Sequence, residues 1–299
     1  MEDYKENIDR QFSFNHGKNL FYRSFHDLLR FSPETLDFIQ NADLSDPDRE
    51  TLMIDYMTSR ALQEFCRMNQ YYAFGSEARS ALREVYTELC EAIKEKRTEV
   101  ETIAEDHYNK LRNWLRGSNA FAESIFSPDV SEPAPVVCSE YSALLQLQIL
   151  QLDLDHMAEP VLDIGCGMQG RLVRYLREKG IESYGIDRFV QSHPHLTESD
   201  WMEYTYVKDH WGTIVSNLGF SNHFIHHHLR NDGHFADYAR KYMEILHSLK
   251  TGGVFCYAPD LPFIELFLDP AGFNLQCYST GQYGIRSSKI TRNRQCRPM

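Results

Sequence analysis

Apolar positions fall into two regimes along this chain. Up to about residue 117 they recur three or four places apart, as on one face of a helix; beyond residue 160 they gather in short continuous runs, the pattern of strands buried on both faces. In the first regime Leu20, Phe21, Phe25, Leu28 and Leu29 share a face of one predicted helix. Ser32-Pro33-Glu34 starts another, with an N-cap residue and proline in the first turn, and Asp46-Pro47 repeats that device ahead of Leu52, Met53, Tyr56, Leu62, Phe65 and Met68. From Ser76-Glu77 to Gly117-Ser118, Leu82, Val85, Leu89, Ile93, Val100, Ile103, Leu111 and Trp114 keep a spacing near 3.5. Two heptad-rich helices or a single one of about 40 residues satisfy it.

Prolines at 128, 133 and 135 then break the periodicity. We place a boundary here, with a helical region over 1–133 and an α/β domain over 134–299. The helical region reads equally as a lid over the second domain or as a hairpin for packing or homodimerisation. Ser139 is expected to cap a helix from Glu140 to about Leu154, leading into the chain's most informative stretch, Pro160 to Asp187. Val161, Leu162 and Ile164 form a buried strand that ends at Gly165-Cys166-Gly167-Met168-Gln169-Gly170; a helix with Leu172, Val173 and Leu176 on one face follows, then a second strand reaching Asp187. Glycines at such a bend admit positive φ and bring a ligand against bare backbone. An acid at the next strand's tip suits a ribose diol, since a carboxylate accepts from two hydroxyls at once.

The glycines match G-x-G-x-x-G as it stands, which by itself is a weak dinucleotide signal. Asp163, two places before Gly165, changes the reading: a carboxylate there repels a diphosphate and welcomes a cationic amine. The segment resembles motif I of the class I S-adenosylmethionine-dependent methyltransferases, an apolar strand, an acid, one residue, then G-x-G-x-G, with the third glycine displaced to Gly170. Leu249-Lys250-Thr251-Gly252-Gly253 is similar to that family's L-K-P-G-G turn. The closing segments near Phe273–Tyr278 and Ile285–Thr291 suit its antiparallel hairpin. The resemblance covers about residues 136–291 and implies a Rossmann-like seven-stranded sheet with S-adenosyl-L-methionine as cofactor. It assigns the cofactor to Asp163, Gly165, Gly167 and Asp187, with Asp200 accepting from the adenine amino group and Trp201 covering the ring. Asn217 leaves the fourth strand's tip, and Tyr141 is either a lid over the methionine end or a core tyrosine.

Substrate candidates are Asn222, His223 and Asp260. A hydroxyl or ammonium acceptor must lose a proton, for which His223 is the natural base; its other reading is a structural histidine. Asp260 suits a cationic substrate group or serves a turn. The stretch Asn217 to His223 lacks the N/D-P-P-Y tetrapeptide of many amino-methylating enzymes on DNA or glutamine, so a small molecule or short peptide is the expected substrate. His223, His226, His227, His228 and His234 are crowded enough to suggest metal ligands, but no H-E-x-x-H pattern accompanies them, and no metal is expected.

Composition narrows the rest. A net charge of −12 argues against a backbone-led grip on nucleic acid. Seven scattered cysteines without C-x-x-C spacing point to reduced thiols. The polar start MEDYKENIDR and the absence of about 18 consecutive apolar residues predict neither secretion nor membrane spanning, and a cytoplasmic protein is expected. Two rivals remain open: an NAD-dependent oxidoreductase, which would share the glycine bend and Asp187, and a non-catalytic helical scaffold with a vestigial cofactor site.

Overall fold

The computed structural model describes residues 3–41, 46–95, 99–119, 122, 128–133, 136, 141–191, 193–281 and 284–293. The chain divides into two compact units, Met1–Cys138 and Ser139–Met299.

The first unit is helical: α1 (Asp3–Phe14), α2 (Phe25–Leu28), α3 (Pro33–Asn41), α4 (Pro47–Met68), α5 (Ser76–Glu95) and α6 (Val100–Ser118). Both proline-led starts form as read, with Ser32 Oγ accepting from Thr35 N at 3.1 Å and Asp46 Oδ1 from Asp48 N at 3.0 Å. The long heptad pattern resolves into two helices, α5 and α6, and the isolated Leu82 and Leu111 sides are buried in the unit's core. The predicted first helix does not form. Phe21, Phe25 and Leu29 are buried, yet the chain between Gly17 and Arg30 runs mostly in turns around a single four-residue helix. Gly17 takes φ +76, and Asn19 Oδ1 accepts from Phe21 N at 2.8 Å, a local turn that competes with the helical ladder. The helix lies earlier, in Asp3–Phe14, where among the described side chains Tyr4 and Ile8 are buried.

The second unit is a seven-stranded sheet built from β1 (Val161–Ile164), β2 (Ser183–Asp187), β3 (Leu196–Glu198), β4 (Trp211–Asn217), β5 (Leu249–Ala258), β6 (Phe273–Ser279) and β7 (Arg286–Arg292). Their order is β3-β2-β1-β4-β5-β7-β6; only β7 runs antiparallel to β5, and β6 pairs with it as a hairpin. This is the class I methyltransferase sheet, reversed strand order and closing hairpin included. Its helices are α7 (Ala143–Ile149), α8 (Arg171–Glu178), α9 (Phe220–His228), α10 (Phe235–Ser248) and the short α11 (Pro262–Glu265). One face packs Val161, Val215, Cys256 and Ala258 against Ile149, Leu172 and Leu176; the other packs Leu162, Ile164, Ile214 and Phe255 against Phe220, Phe224, Tyr242 and Leu246.

Three details differ from expectation. The helix before β1 is shorter than read and starts later, capped by Ser142 Oγ accepting from Leu145 N at 3.3 Å, and it stops at Ile149 before Gln151 turns to φ +52. Ser139 and Glu140 lie outside the described residues, as do Ser127, Ala134 and Pro135 of the expected linker. Strict α/β alternation lapses after β2, because no helix appears among the described residues of 188–195 or between β3 and β4. The β2–β3 crossover, 188–195, is shorter than the dozen or so residues a helical one usually takes. Arg292, beyond the Ile285–Thr291 segment read for the last strand, ends β7 and donates to Asp209 and to the carbonyl of His247 at 2.8 Å.

Candidate functional site

β1 lies between β2 and β4, so the chain leaves its carboxyl end where strand order reverses, the place open α/β sheets bind ligands. The bend that follows is built from backbone. Gly165 N and Cys166 N both donate to Ile186 O, at 2.9 and 3.1 Å, and tie the bend to β2. Gly165 and Gly167 take φ +75 and +76. A Cβ on Gly165 would stand 3.0 Å from the Trp201 ring, so the bare position admits that indole. The displaced third glycine has its own reason: a Cβ on Gly170, at φ +55, would reach Leu196 of β3 at 2.6 Å. Glycine is needed there for strand packing, and Gln169 is free to be larger.

Asp163 is buried to 1% exposure, and its Oδ2 has no hydrogen-bond partner among the described residues. Burial, and then the charge of Asp187, push its carboxyl up to about 8. Asp163 pairs with Val215 across the parallel ladder, so its side chain and that of Asn217, two residues further along β4, share one face of the sheet. Asn217 Oδ1 is likewise buried without a partner among the described residues. Two acceptors on neighbouring strands thus await a donor. Asp187 accepts from Gly167 N and Phe189 N, each at 3.1 Å, which aims its carboxylate at the bend. Burial still raises its pKa, against those two N–H groups and the Arg188 guanidinium.

Asp200 Oδ1 accepts from Met202 N at 2.8 Å in a tight turn after β3, and Trp201 is buried to 6% exposure. The indole does not lie open above the sheet. It sits against Gly165 and Gly219, with Arg188 5.9 Å from its ring centre and the His223 ring edge-on at 4.8 Å. His223 is 3% exposed, with the Tyr238 hydroxyl 3.5 Å from its Nδ1. Burial foremost, then Arg188, hold its pKa well below the usual imidazole value, so it is neutral. Asn222 spends its amide on Leu218 O at 2.7 Å, and Leu218 takes the left-handed φ +58 at the tip of β4. Asp260 faces Arg286, with Oδ2 3.4 Å from its Nε. Tyr141 is half-buried directly before the α7 cap, and its carbonyl accepts from Gln146 Nε2 at 3.0 Å.

The structure therefore gathers Asp163, Gly165, Gly167, Asp187, Trp201, Asn217 and His223 around the ends of β1, β2 and β4, and sets Asp260 in an ion pair on the β5–β7 side. Two contributors escaped the sequence reading. Ser216, fully buried, donates to Ile164 O at 2.9 Å and accepts from Phe220 N at 3.2 Å, joining β1 to the start of α9; a lone serine in an apolar strand was its only signal. Arg188 bears on Asp187, His223 and Trp201 together, and nothing in its spacing marked it.

The crowded histidines serve packing. His227 stacks on Tyr238 at 4.8 Å and His228 on Phe263 at 3.8 Å. Among the described residues no group of three or more His, Cys, Asp or Glu is arranged to hold a metal, and no helix is long and apolar enough to cross a membrane.

No known protein family matches the sequence, and no curated protein matches it. Among solved structures, an rRNA methylase from Streptococcus thermophilus is similar at 14% identity and TM-score 0.35, over 52% of this chain and all of that one. The plantazolicin methyltransferase, solved with S-adenosylhomocysteine, is similar at 13% identity and TM-score 0.33, over 51% of this chain and 83% of its own. The 1,6-didemethyltoxoflavin-N1-methyltransferase of Burkholderia thailandensis is similar at 16% identity and TM-score 0.31, over 45% and 71%. The fold is defined by the strand order itself.

Proposed function

We propose that the Ser139–Met299 unit is an S-adenosylmethionine-dependent methyltransferase acting on a small molecule or short peptide. The observation that carries this reading is the pair of buried acceptors without partners, Asp163 Oδ2 and Asn217 Oδ1, behind a bare-backbone bend. Buried polar atoms are nearly always satisfied, and the Asn217 amide oxygen beside the Asp163 carboxyl, which accepts on both oxygens once its proton is expelled, fits a cationic group with several N–H donors. The amino-acid end of S-adenosylmethionine is such a group. A pyrophosphate is not, because it would bring further negative charge to a carboxyl already strained by burial and by Asp187.

When bound, the cofactor supplies an electrophilic methyl group on a sulfonium. Asp163 and Asn217 hold its ammonium, Gly165 and Gly167 let it approach the backbone, and Asp187 accepts from the ribose hydroxyls. Trp201 and Asp200 border the base. The chain's remaining work is alignment and the exclusion of water. His223 is in the neutral state a base requires, and Trp201 packed edge-on against its ring screens it from bulk solvent. Asp260 carries its own counter-ion in Arg286, so a cationic substrate group would bind there by displacing that guanidinium.

Titration calorimetry with S-adenosylmethionine, S-adenosylhomocysteine and NADH tests the reading. Binding of the first two, lost in Asp163→Asn while the fold persists, is the expected result. Binding of NADH alone would make the protein an oxidoreductase, and no heat from any of the three would leave the scaffold reading.

A further inference from the structure

The helical unit holds a partly open hollow of about 180 Å³ between α1, α3, α4, α5 and α6. Its wall is almost wholly apolar, with Met53, Met57, Ala61, Leu89 and Leu111 among the lining residues. A close-packed interior rarely keeps a hollow of this size without a guest, and one of ~150 Å³ with aliphatic and aromatic walls stays dry and takes up benzene. One polar side chain in the wall stands apart. His107 on α6 is 6% exposed, and its Nδ1 has no hydrogen-bond partner among the described residues. The other polar groups nearby are engaged: the Tyr108 hydroxyl receives Asn15 Nδ2 at 2.6 Å and Gln11 Nε2 at 3.3 Å. Around the imidazole lie the rings of Tyr86 at 5.2 Å and Phe31 at 6.5 Å.

We infer that this hollow is a binding site for an uncharged one-ring aromatic molecule bearing a single hydroxyl, with the ring among the methionine and leucine side chains and the hydroxyl on His107 Nδ1. Size sets the single ring, and the apolar stretch around Met53, Met57 and Leu111 disfavours charge, because an ion seated there would lose its hydration; Lys18 and Glu64, which also line the hollow, are engaged with Asn15 at 3.0 Å and with Arg67 at 2.6 Å. The hydroxyl follows from the imidazole, whose buried nitrogen can accept a proton donor or offer its own. Burial, with Lys110 adding to it, brings the His107 pKa down to about 3, so the ring is neutral and asks for no counter-ion. The site lies wholly within Met1–Cys138 and owes nothing to the cofactor assignment of the other unit.

Methionine-methyl NMR of the full chain reads the site directly, since Met53, Met57 and Met68 line it and the exposed Met168 lies in the other unit. Phenol should shift the first three methyls saturably and leave Met168 unmoved. Toluene should bind about tenfold more weakly, and benzoate and benzylamine should not bind. In His107→Leu the advantage of phenol over toluene should vanish, and in Ala61→Leu, which fills the hollow, both should be lost. Should either variant fail to fold, the wild-type titration decides alone. Unmoved lining methyls at saturating phenol, equal binding of benzoate, or equal shifts at Met168 would overturn the assignment.

Discussion

The clearest consequence of the site is electrostatic and concerns Asp163. With its carboxyl pushed up to about 8, against an unfolded value of ~3.9, the folded chain binds a proton that the unfolded chain has already lost. The raised value means stability is fully present below about pH 4 and is lost as pH climbs through 8. Between pH 5 and 8 the linkage spans about 3 units, or roughly 4 kcal/mol, an upper figure for a single group. Asp163→Asn cannot titrate. Urea unfolding from pH 5 to 8 should therefore show the variant gaining on the wild type by a further ~4 kcal/mol, with the two nearly equal only at or below about pH 4. Cofactor binding should report the same proton. At pH 7 about 0.9 of the Asp163 carboxyls are protonated, and an arriving ammonium must expel that proton. Calorimetry of S-adenosylmethionine binding to the wild type at pH 7, in buffers of different ionisation enthalpy, should show release of about 0.9 proton. Wild-type affinity should rise about tenfold per pH unit from 6 to 7.5. Parallel stability curves for the two proteins, together with wild-type binding that releases no proton, would refute the placement of a strained carboxyl against a cation.

Three further outcomes are expected. Gly165→Ala, at φ +75 and with its new methyl 3.0 Å from the Trp201 ring, should lower stability by about 1–2 kcal/mol and weaken S-adenosylhomocysteine binding by more than tenfold, read by thermal shift and calorimetry. Glu265 is buried and its Oε1 accepts from Tyr257 Oη at 2.5 Å, Ser288 Oγ at 2.6 Å and Leu261 N at 2.9 Å, so Glu265→Ala should cost about 3 kcal/mol in urea unfolding by stranding three donors; a loss under about 1 kcal/mol would contradict that network. His227, brought down to about 4 by burial, folds neutral, so the stability it adds is present above pH 6.5 and lost as pH falls toward 4; His227→Gln should flatten the acid side of the stability profile across that window.

The strand, bend and helix around Asp163 were legible because each level of the sequence agreed: an apolar run buried on both faces, glycines where φ turns positive, and a helical face ending at Gly180. Proline-led helix starts were equally plain, since the cap and the fixed φ act locally. Leu20 to Leu29 carry helical spacing without forming a helix: those side chains are mostly inside, but Gly17 and the Asn19 turn set the backbone path. In α1 the reverse holds, with a polar helix buried on two positions too sparse to register. Of the site residues, Asp163, Gly165 and Asp187 could be placed from the chain because strand tips fix them. Trp201 and His223 could not, since their edge-on contact joins segments twenty-two positions apart, and that is a matter of tertiary packing.

The cut between the two units falls ahead of Tyr141, and every residue assigned to the donor pocket lies after it. The residues proposed to hold the donor and those lining the hollow of the helical unit are thus encoded in separate lengths of chain. Either length could be exchanged by recombination at that junction without altering a residue of the other.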